Sequence, residues 1–315
     1  MWPAVPGVAY PRADPADARR MPQDTWAAAQ LPAGVRLEMI GNATSIEVGY
    51  VTASDELGYR GPGAGCTFEV WRGDRRIDTQ PAALGRGTIR LHLGKGDGRA
   101  VVYLPEGMKP RIESVVAVGG DIAPAVAQPR RIAYGDSITE GWSASSPARC
   151  WLAIAGRERA MDTVNLGFAG SARGEIVLAQ QIAALDADVI TVAYGTNCWA
   201  TIPHSADMMR ANTAAFLRII RAAHPHVPIL VVSPLIRPDA EDRPNALGTT
   251  LADIRAAIES SVAQGDDELT SLLPGADLLS ADLLADGIHP GDDGHHELAT
   301  RIGLEVDRLR TARSG

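Results

Sequence analysis

Ser137 stands in Tyr134-Gly135-Asp136-Ser137-Ile138-Thr139-Glu140-Gly141-Trp142, directly after a short apolar run at 131–134. Such a run followed by Gly and polar residues reads as a buried strand giving way to a helix. A serine at that junction sits where the backbone N–H groups of the next turn can serve an oxyanion. A serine that only caps the helix is the structural alternative. The segment is not GxSxG, because Thr139 holds the place of the second Gly, so the nucleophile elbow of α/β-hydrolases does not apply. A serine hydroxyl is a poor nucleophile unless a base takes its proton. Asp286-Gly287-Ile288-His289-Pro290 offers that base. The D-x-x-H spacing lets one turn present both side chains, so that Asp286 accepts from His289 Nδ1 and fixes the tautomer. A surface turn whose Asp caps the next helix is the plainer reading of this segment taken alone.

Two further stretches could supply oxyanion donors. Asn165-Leu166-Gly167-Phe168-Ala169-Gly170-Ser171 follows a second apolar run, and a Gly there exposes its N–H to a substrate. Tyr194-Gly195-Thr196-Asn197 follows a third, where the Asn197 amide suits a developing oxyanion. Trp142 and Trp199 come just after the serine and asparagine segments, so their rings could stack on a sugar, wall an acyl pocket or pack the core. Arg173 and Glu175 could reach a substrate or lie on a solvated helix face. His289, Asp292, Asp293, His295 and His296 look at first like metal ligands, but adjacent histidines at a helix start point in different directions. No metal and no cofactor are expected. Cys198 has no second His near it in sequence and reads as small-residue packing.

The elements that must hold these residues divide the chain in two. Runs at 35–40, 44–52, 67–72, 88–93, 100–104 and 111–118 have strand character, with Gly-rich turns at 61–65, 73–74 and 94–98. Neither long Gly cluster satisfies a phosphate-loop pattern. Strands at this spacing without helices predict a jelly-roll-like β-sandwich over residues 1–125. An Ala/Pro stretch at 121–129 reads as the linker. Beyond it, strands at 131–134, 164–166, 189–194 and 229–233 alternate with helical patterns at 205–224 and 294–310. That alternation predicts a parallel sheet covered by helices over residues 126–315, with sites at the carboxyl ends of its strands.

Composition narrows the partners. The 315 residues carry 30 Lys+Arg against 38 Asp+Glu, a formal charge of −8, which argues against a phosphate-binding surface and hence against nucleic acid. At 45% hydrophobic and 22% charged, the chain is that of an ordinary folded protein. No apolar run approaches the ~20 residues of a membrane span, so no membrane partner is expected. Three cysteines, an odd number without CxxC, fit a reducing compartment. Residues 1–11 hold three prolines and no continuous apolar core, unlike a signal peptide, so a cytoplasmic location is expected, with secretion the alternative.

Taken in order, Gly-Asp-Ser137, Asn-Leu-Gly-Phe-Ala-Gly170, Gly-Thr-Asn197 and Asp286-Gly-Ile-His289-Pro resemble the four blocks of the SGNH, or GDSL-type, esterase superfamily. The resemblance spans about residues 130–315. It implies a flavodoxin-like three-layer fold and ester hydrolysis with Ser137 as nucleophile, His289 as base and Asp286 orienting it. The oxyanion hole it implies is Ser137 N–H, Gly170 N–H and the Asn197 amide. Two departures, Ser171-Ala172 where many members have Asp-Thr and Cys198 where Asp is common, bear on the shape of the substrate pocket. A strand-rich N-terminal half joined to such a hydrolase is also similar in layout to certain carbohydrate esterases. The expected substrate is a short acyl ester, an O-acetyl group on a carbohydrate or small metabolite. A lipid or aryl esterase, a thioesterase and a non-catalytic binding protein are the competing readings.

Overall fold

The structure is a computed structural model that describes residues 2–55, 65–96, 98–200 and 202–312. Most of the expected turn at 61–65, and Asp97 in the turn at 94–98, lie outside the described residues. A short helix α1 (Gln23–Ala29) precedes the strands β1 (Arg36–Gly41), β2 (Ser45–Thr52), β3 (Thr67–Arg72), β4 (Arg75–Pro81), β5 (Gly85–His92), β6 (Ala100–Tyr103), β7 (Arg111–Val118) and β8 (Ile122–Pro124). They form two antiparallel sheets, ordered β4-β3-β6-β1-β8 and β5-β2-β7. Alternate residues of both, among them Ile46, Val48, Phe68, Val70, Leu91 and Val102, share one core, as period-2 patterning requires. β4 was not anticipated because Arg75, Arg76 and Asp78 give it no apolar alternation. β8 falls inside the expected linker and pairs with β1, so the chain crosses to the second half as part of a sheet.

The second half runs β9 (Arg130–Gly135), α2 (Ser137–Glu140), α3 (Trp151–Glu158), β10 (Asp162–Gly167), α4 (Ile176–Ala183), β11 (Val189–Ala193), α5 (Ala206–Ala223), β12 (Ile229–Val232), α6 (Leu251–Gln264), β13 (Thr270–Leu273) and α7 (Asp292–Ala312). Its sheet is all parallel in the order β10-β9-β11-β12-β13, the doubly wound 2-1-3-4-5 arrangement. Both faces are covered, which is why the strands read as continuous apolar runs. Ile132, Tyr134, Ile190 and Val192 face α4, α5 and α6, whereas Ala133, Val189 and Leu230 face α3 and α7. α5 and α7 lie within two residues of expectation. α6 starts with a capping box, Thr250 and Asp253.

Part of the segment before β1 leaves the antiparallel sheets: Tyr10 packs on their core, but Ala13, Met21 and Ala29 sit in the core beside α4 and α5. The halves also meet where Trp71 and Tyr103 pack on Ala148 and Ala153, with the Arg157 guanidinium 4.4 Å over the Trp71 ring. Among the described residues no helix is long and apolar enough to cross a membrane.

Candidate active site

Register brings the chemistry together. Gly135 pairs with Gly167 on one side and Ala193 on the other, so three strands end level and their loops lie side by side. Gly135 is required there. A Cβ on it would stand 2.2 Å from Thr139 Oγ1 and 2.5 Å from the Ala193 carbonyl, so only glycine lets α2 fold back over the strand end. Asp136 caps α2 by accepting from Ile138 N–H at 3.0 Å. Burial pushes the Asp136 carboxyl up to about 7, and the two backbone N–H groups it accepts from only partly offset this.

Ser137 and His289, 152 residues apart in sequence, are in contact: His289 Nε2 lies 2.9 Å from Ser137 Oγ. His289 Nδ1 lies 2.7 Å from Asp286 Oδ2. An ionised carboxylate can only accept, so the Nδ1 proton belongs to that bond and the Nε2 lone pair faces the serine hydroxyl. Asp286 also accepts the N–H groups of Ile288 and His289, at 3.0 and 2.7 Å, through Oδ1. Partial burial raises its pKa, but hydrogen bonds from the His289 ring and these two N–H groups outweigh it and hold Asp286 below the ordinary carboxylate range. The turn is closed by a bridge between Leu284 and Pro290.

The other expected residues divide. Gly170 is exposed at the tip of the loop after β10, in the left-handed region at φ +72° with open space where a Cβ would be. Asn197 is half-buried, its amide donating to the Ser171 carbonyl at 2.6 Å, which ties the third loop to the second. The Trp142 ring lies against His289, centroids 5.4 Å apart. Trp199 is half-buried, its indole N–H on the Arg243 carbonyl at 2.7 Å and Arg237 over its ring. Arg173, expected to reach the substrate, is turned into the protein: it donates to the Gly170 carbonyl at 2.9 Å and pairs with Asp24. A side chain so engaged braces its loop. Cys198 is fully buried, and desolvation drives its thiol pKa far up, as expected of a packing residue.

Asp292 accepts from the Ser145 N–H and hydroxyl at 2.8 and 2.6 Å, and buried His295 lies between the Trp142 carbonyl and the Trp151 N–H. Among the described residues no group of three or more His, Cys, Asp or Glu is arranged to hold a metal. A small, mainly apolar cavity of about 30 Å³ lies beside the site, lined in part by Asp136, Ile138, Thr196, Ile236 and Ile288.

Sequence reading missed Glu140, which stands inside the serine segment and is distinguished only by burial. It accepts the Trp142 indole N–H at 3.1 Å and the Ala169 N–H at 3.1 Å, and pairs with Arg12 at 2.9 Å. Nothing local to Arg12 signals this partner.

A family model for the GDSL-like Lipase/Acylhydrolase family matches residues 133–297. None of the curated proteins compared with the chain matches it. Among solved structures, the chain is similar to the salicylyl-acyltransferase SsfX3 from a tetracycline biosynthetic pathway, with a TM-score of 0.81 at 24% identity over 95% of this chain and 90% of that one. A GDSL-like protein from Bacteroides ovatus ATCC 8483 gives 0.76 at 21% identity over 95% and 91%. A family two carbohydrate esterase from Clostridium thermocellum, solved with cellohexaose, gives 0.65 at 14% over 87% and 90%. At these identities the likeness is one of fold, and it extends through the antiparallel sheets.

Proposed function

The chain belongs to the GDSL-like lipase/acylhydrolase family, and on that premise we propose that it is a serine esterase acting on short acyl esters. The observation that carries this reading is the continuous Asp286–His289–Ser137 hydrogen-bond chain. His289 takes the Ser137 proton as Oγ attacks the ester carbonyl, and Asp286 holds the ring and stabilises the imidazolium that forms. The oxyanion then receives hydrogen bonds from the Ser137 and Gly170 N–H groups and the Asn197 amide. The alcohol leaves with the proton returned by His289, and water repeats the sequence on the acyl-enzyme.

The substrate we favour is an O-acetyl ester of a carbohydrate or small metabolite. The Trp142 ring against His289 supports it, since an indole beside the base takes up space that a long acyl chain would need. Layout supports it too, through the fold shared with the carbohydrate esterase. In this reading the two antiparallel sheets form a sandwich, the accessory unit of residues 1–125, and 126–315 is the hydrolase, onto whose core the segment with Ala13, Met21 and Ala29 folds back. Acyl transfer to an alcohol is the second reading, favoured by the likeness to an acyltransferase over 95% of the chain.

The test is a series of aryl esters from acetyl to decanoyl, with acetylated sugars and an added alcohol acceptor. We expect kcat/KM to peak at acetyl and drop beyond butyryl, because extra methylenes in a filled pocket cost roughly 1–3 kcal/mol. Ser137→Ala should abolish turnover, and a quenched reaction should add one acetyl mass to the wild-type peptide containing Ser137. A maximum at octanoyl or longer would favour a lipid esterase, and faster product release with alcohol would favour transfer.

A further inference from the structure

The loop that carries Gly170 is held from beneath by residues at the opposite end of the chain. The Arg12 guanidinium donates to the carbonyls of Gly167, Ala28 and Leu31, pairs with Glu140 at 2.9 Å, and lies 5.1 Å over the Phe168 ring. Both charged side chains are buried, at 4% and 3% exposure. Glu140 Oε2 accepts the Ala169 N–H at 3.1 Å. Asp24, in α1, accepts from Arg173 Nη2 at 2.5 Å, and Arg173 Nη1 donates to the Gly170 carbonyl at 2.9 Å. Thr25 donates to Glu175 Oε1 at 2.9 Å, and Glu175 Oε2 accepts the Arg173 N–H at 3.1 Å.

These bonds fall on two peptide groups in particular. The Ala169 N–H belongs to the peptide before the 169–170 unit, and the Gly170 carbonyl to the peptide after it. With both neighbours pinned, the plane between them, which carries the Gly170 N–H, has little freedom to turn. The loop needs such support. Ala172 is fully buried in the left-handed region at φ +57°, which a residue with a Cβ holds only when its surroundings impose it.

We propose that residues 11–31 form a positioning strap for acyl transfer: the Arg12–Glu140 and Asp24–Arg173 pairs aim the Gly170 N–H at the oxygen on which charge develops. The inference rests on the esterase reading of the site. Arg12, Asp24, Glu140 and Arg173 are positioning residues, since each acts through the loop.

Two variants test it. Asp24→Ala removes a side chain that is 45% exposed, and buried Arg173 keeps its bond to the Gly170 carbonyl, so a melt recorded beside the kinetics separates any cost to folding. Arg12→Lys keeps a charge facing Glu140 but loses the planar fork that reaches the carbonyls. With sites counted by the acyl-enzyme burst, kcat per site should fall about tenfold in Asp24→Ala and about ten- to a hundredfold in Arg12→Lys, as a small misplacement permits. KM should stay within about twofold, the acid limb of the pH profile should not move, and Asp24→Glu should recover much of the loss. A kcat per site within about twofold of wild type in both variants overturns the strap, as does a loss that follows Tm alone. Ser137→Ala is the control. Turnover surviving in it would remove the esterase reading and the strap together, whereas turnover lost in it but retained in both strap variants removes the strap alone.

Discussion

Two arginines are buried against the same parallel sheet, at opposite ends of its strands, and both stack on an aromatic ring. Arg12, at the carboxyl end beside the site, meets Glu140, three carbonyls and Phe168. Arg131, at the start of β9, lies 4.9 Å over the Trp151 ring and donates from Nε to Thr191 at 3.1 Å, but its Nη1 and Nη2 have no hydrogen-bond partner among the described residues. A buried guanidinium with every nitrogen directed constrains whatever it touches. One with two nitrogens undirected mainly carries the cost of its own desolvation. The carboxyl end of the sheet is thus built for placement, whereas the guanidinium at the amino end is directed by one hydrogen bond and one ring.

The sharpest test of that contrast lies in a residue at the carboxyl end whose side chain is exposed. Asp286 has a side chain 47% exposed, so its role can be separated from stability. Asp286→Asn should lower kcat by up to about 10⁴, because an amide there favours the wrong tautomer of His289, while Tm stays near that of wild type. Steady-state kinetics beside a thermal melt decide it. A loss under about tenfold would mean that something other than Asp286 orients the imidazole. Arg12→Ala comes next in size. It takes the guanidinium 2.9 Å away from the buried Glu140 carboxylate, and urea denaturation should show a loss of about 3–5 kcal/mol. Adding Glu140→Gln should return part of it. A loss below about 1 kcal/mol would erase the distinction between the two arginines.

How much of this was legible depends on whether a feature is written in neighbouring residues. The four segments around Ser137, Gly170, Asn197 and His289 are contiguous, and each follows an apolar run or a turn signal, so the strand ends and their order could be read directly. The contact between Ser137 Oγ and His289 needs the packing of α7 on α3 as well, since β13 and β9 are not neighbours in the sheet. β13 (Thr270–Leu273) is only half-buried and four residues long, too short for a periodic signal. Arg12–Glu140 and Asp24–Arg173 span 128 and 149 residues and leave no local trace, so residues 11–31 read as a preamble to the β half when they pack on the other. Arg173 hides its partner for the same reason: a charged residue after Gly170 suggests solvent or substrate until distant Asp24 is seen.

Asp136 extends the contrast to pH. Its carboxyl lies at the carboxyl end too, buried, with its pKa raised by desolvation from 3.8 to about 7. Between those values the folded state holds a proton that the unfolded state has released, so stability falls as pH rises from about 4 to 7. At ~1.4 kcal/mol per pH unit the effect is at most about 4 kcal/mol. Asp17, Glu241, Asp267 and Asp286, all held below their ordinary values, act oppositely but only as pH drops through their folded pKa values, under the Asp136 window. Urea midpoints should therefore decline from pH 5 to pH 8, and Asp136→Asn, which can still cap α2, should flatten the curve. An unchanged slope in Asp136→Asn would assign the dependence elsewhere.

The smallest expected effect is at the amino end, and its sign is opposite. Desolvation, with Arg159 nearby adding to it and Asp307 opposing, pushes the Arg131 guanidinium down to about 9. Its folded pKa lies below the unfolded one, so the charged form present at neutral pH is what folding disfavours. Replacing Arg131 alone would leave the fully buried Thr191 hydroxyl without its donor and remove the stacking on Trp151. Those losses are roughly 1–3 kcal/mol and up to about 2 kcal/mol, comparable with what removing the charge returns. Replacing both partners avoids the first of them. We expect Arg131→Met/Thr191→Val to be more stable than wild type by about 1 kcal/mol, raising Tm by about 2–4 °C, and more stable than Arg131→Met alone. Activity should not change, since neither residue touches the loops at the carboxyl end. If the double variant instead loses 1 kcal/mol or more, the Nη groups have partners that offset their burial, and Arg131 belongs with Arg12.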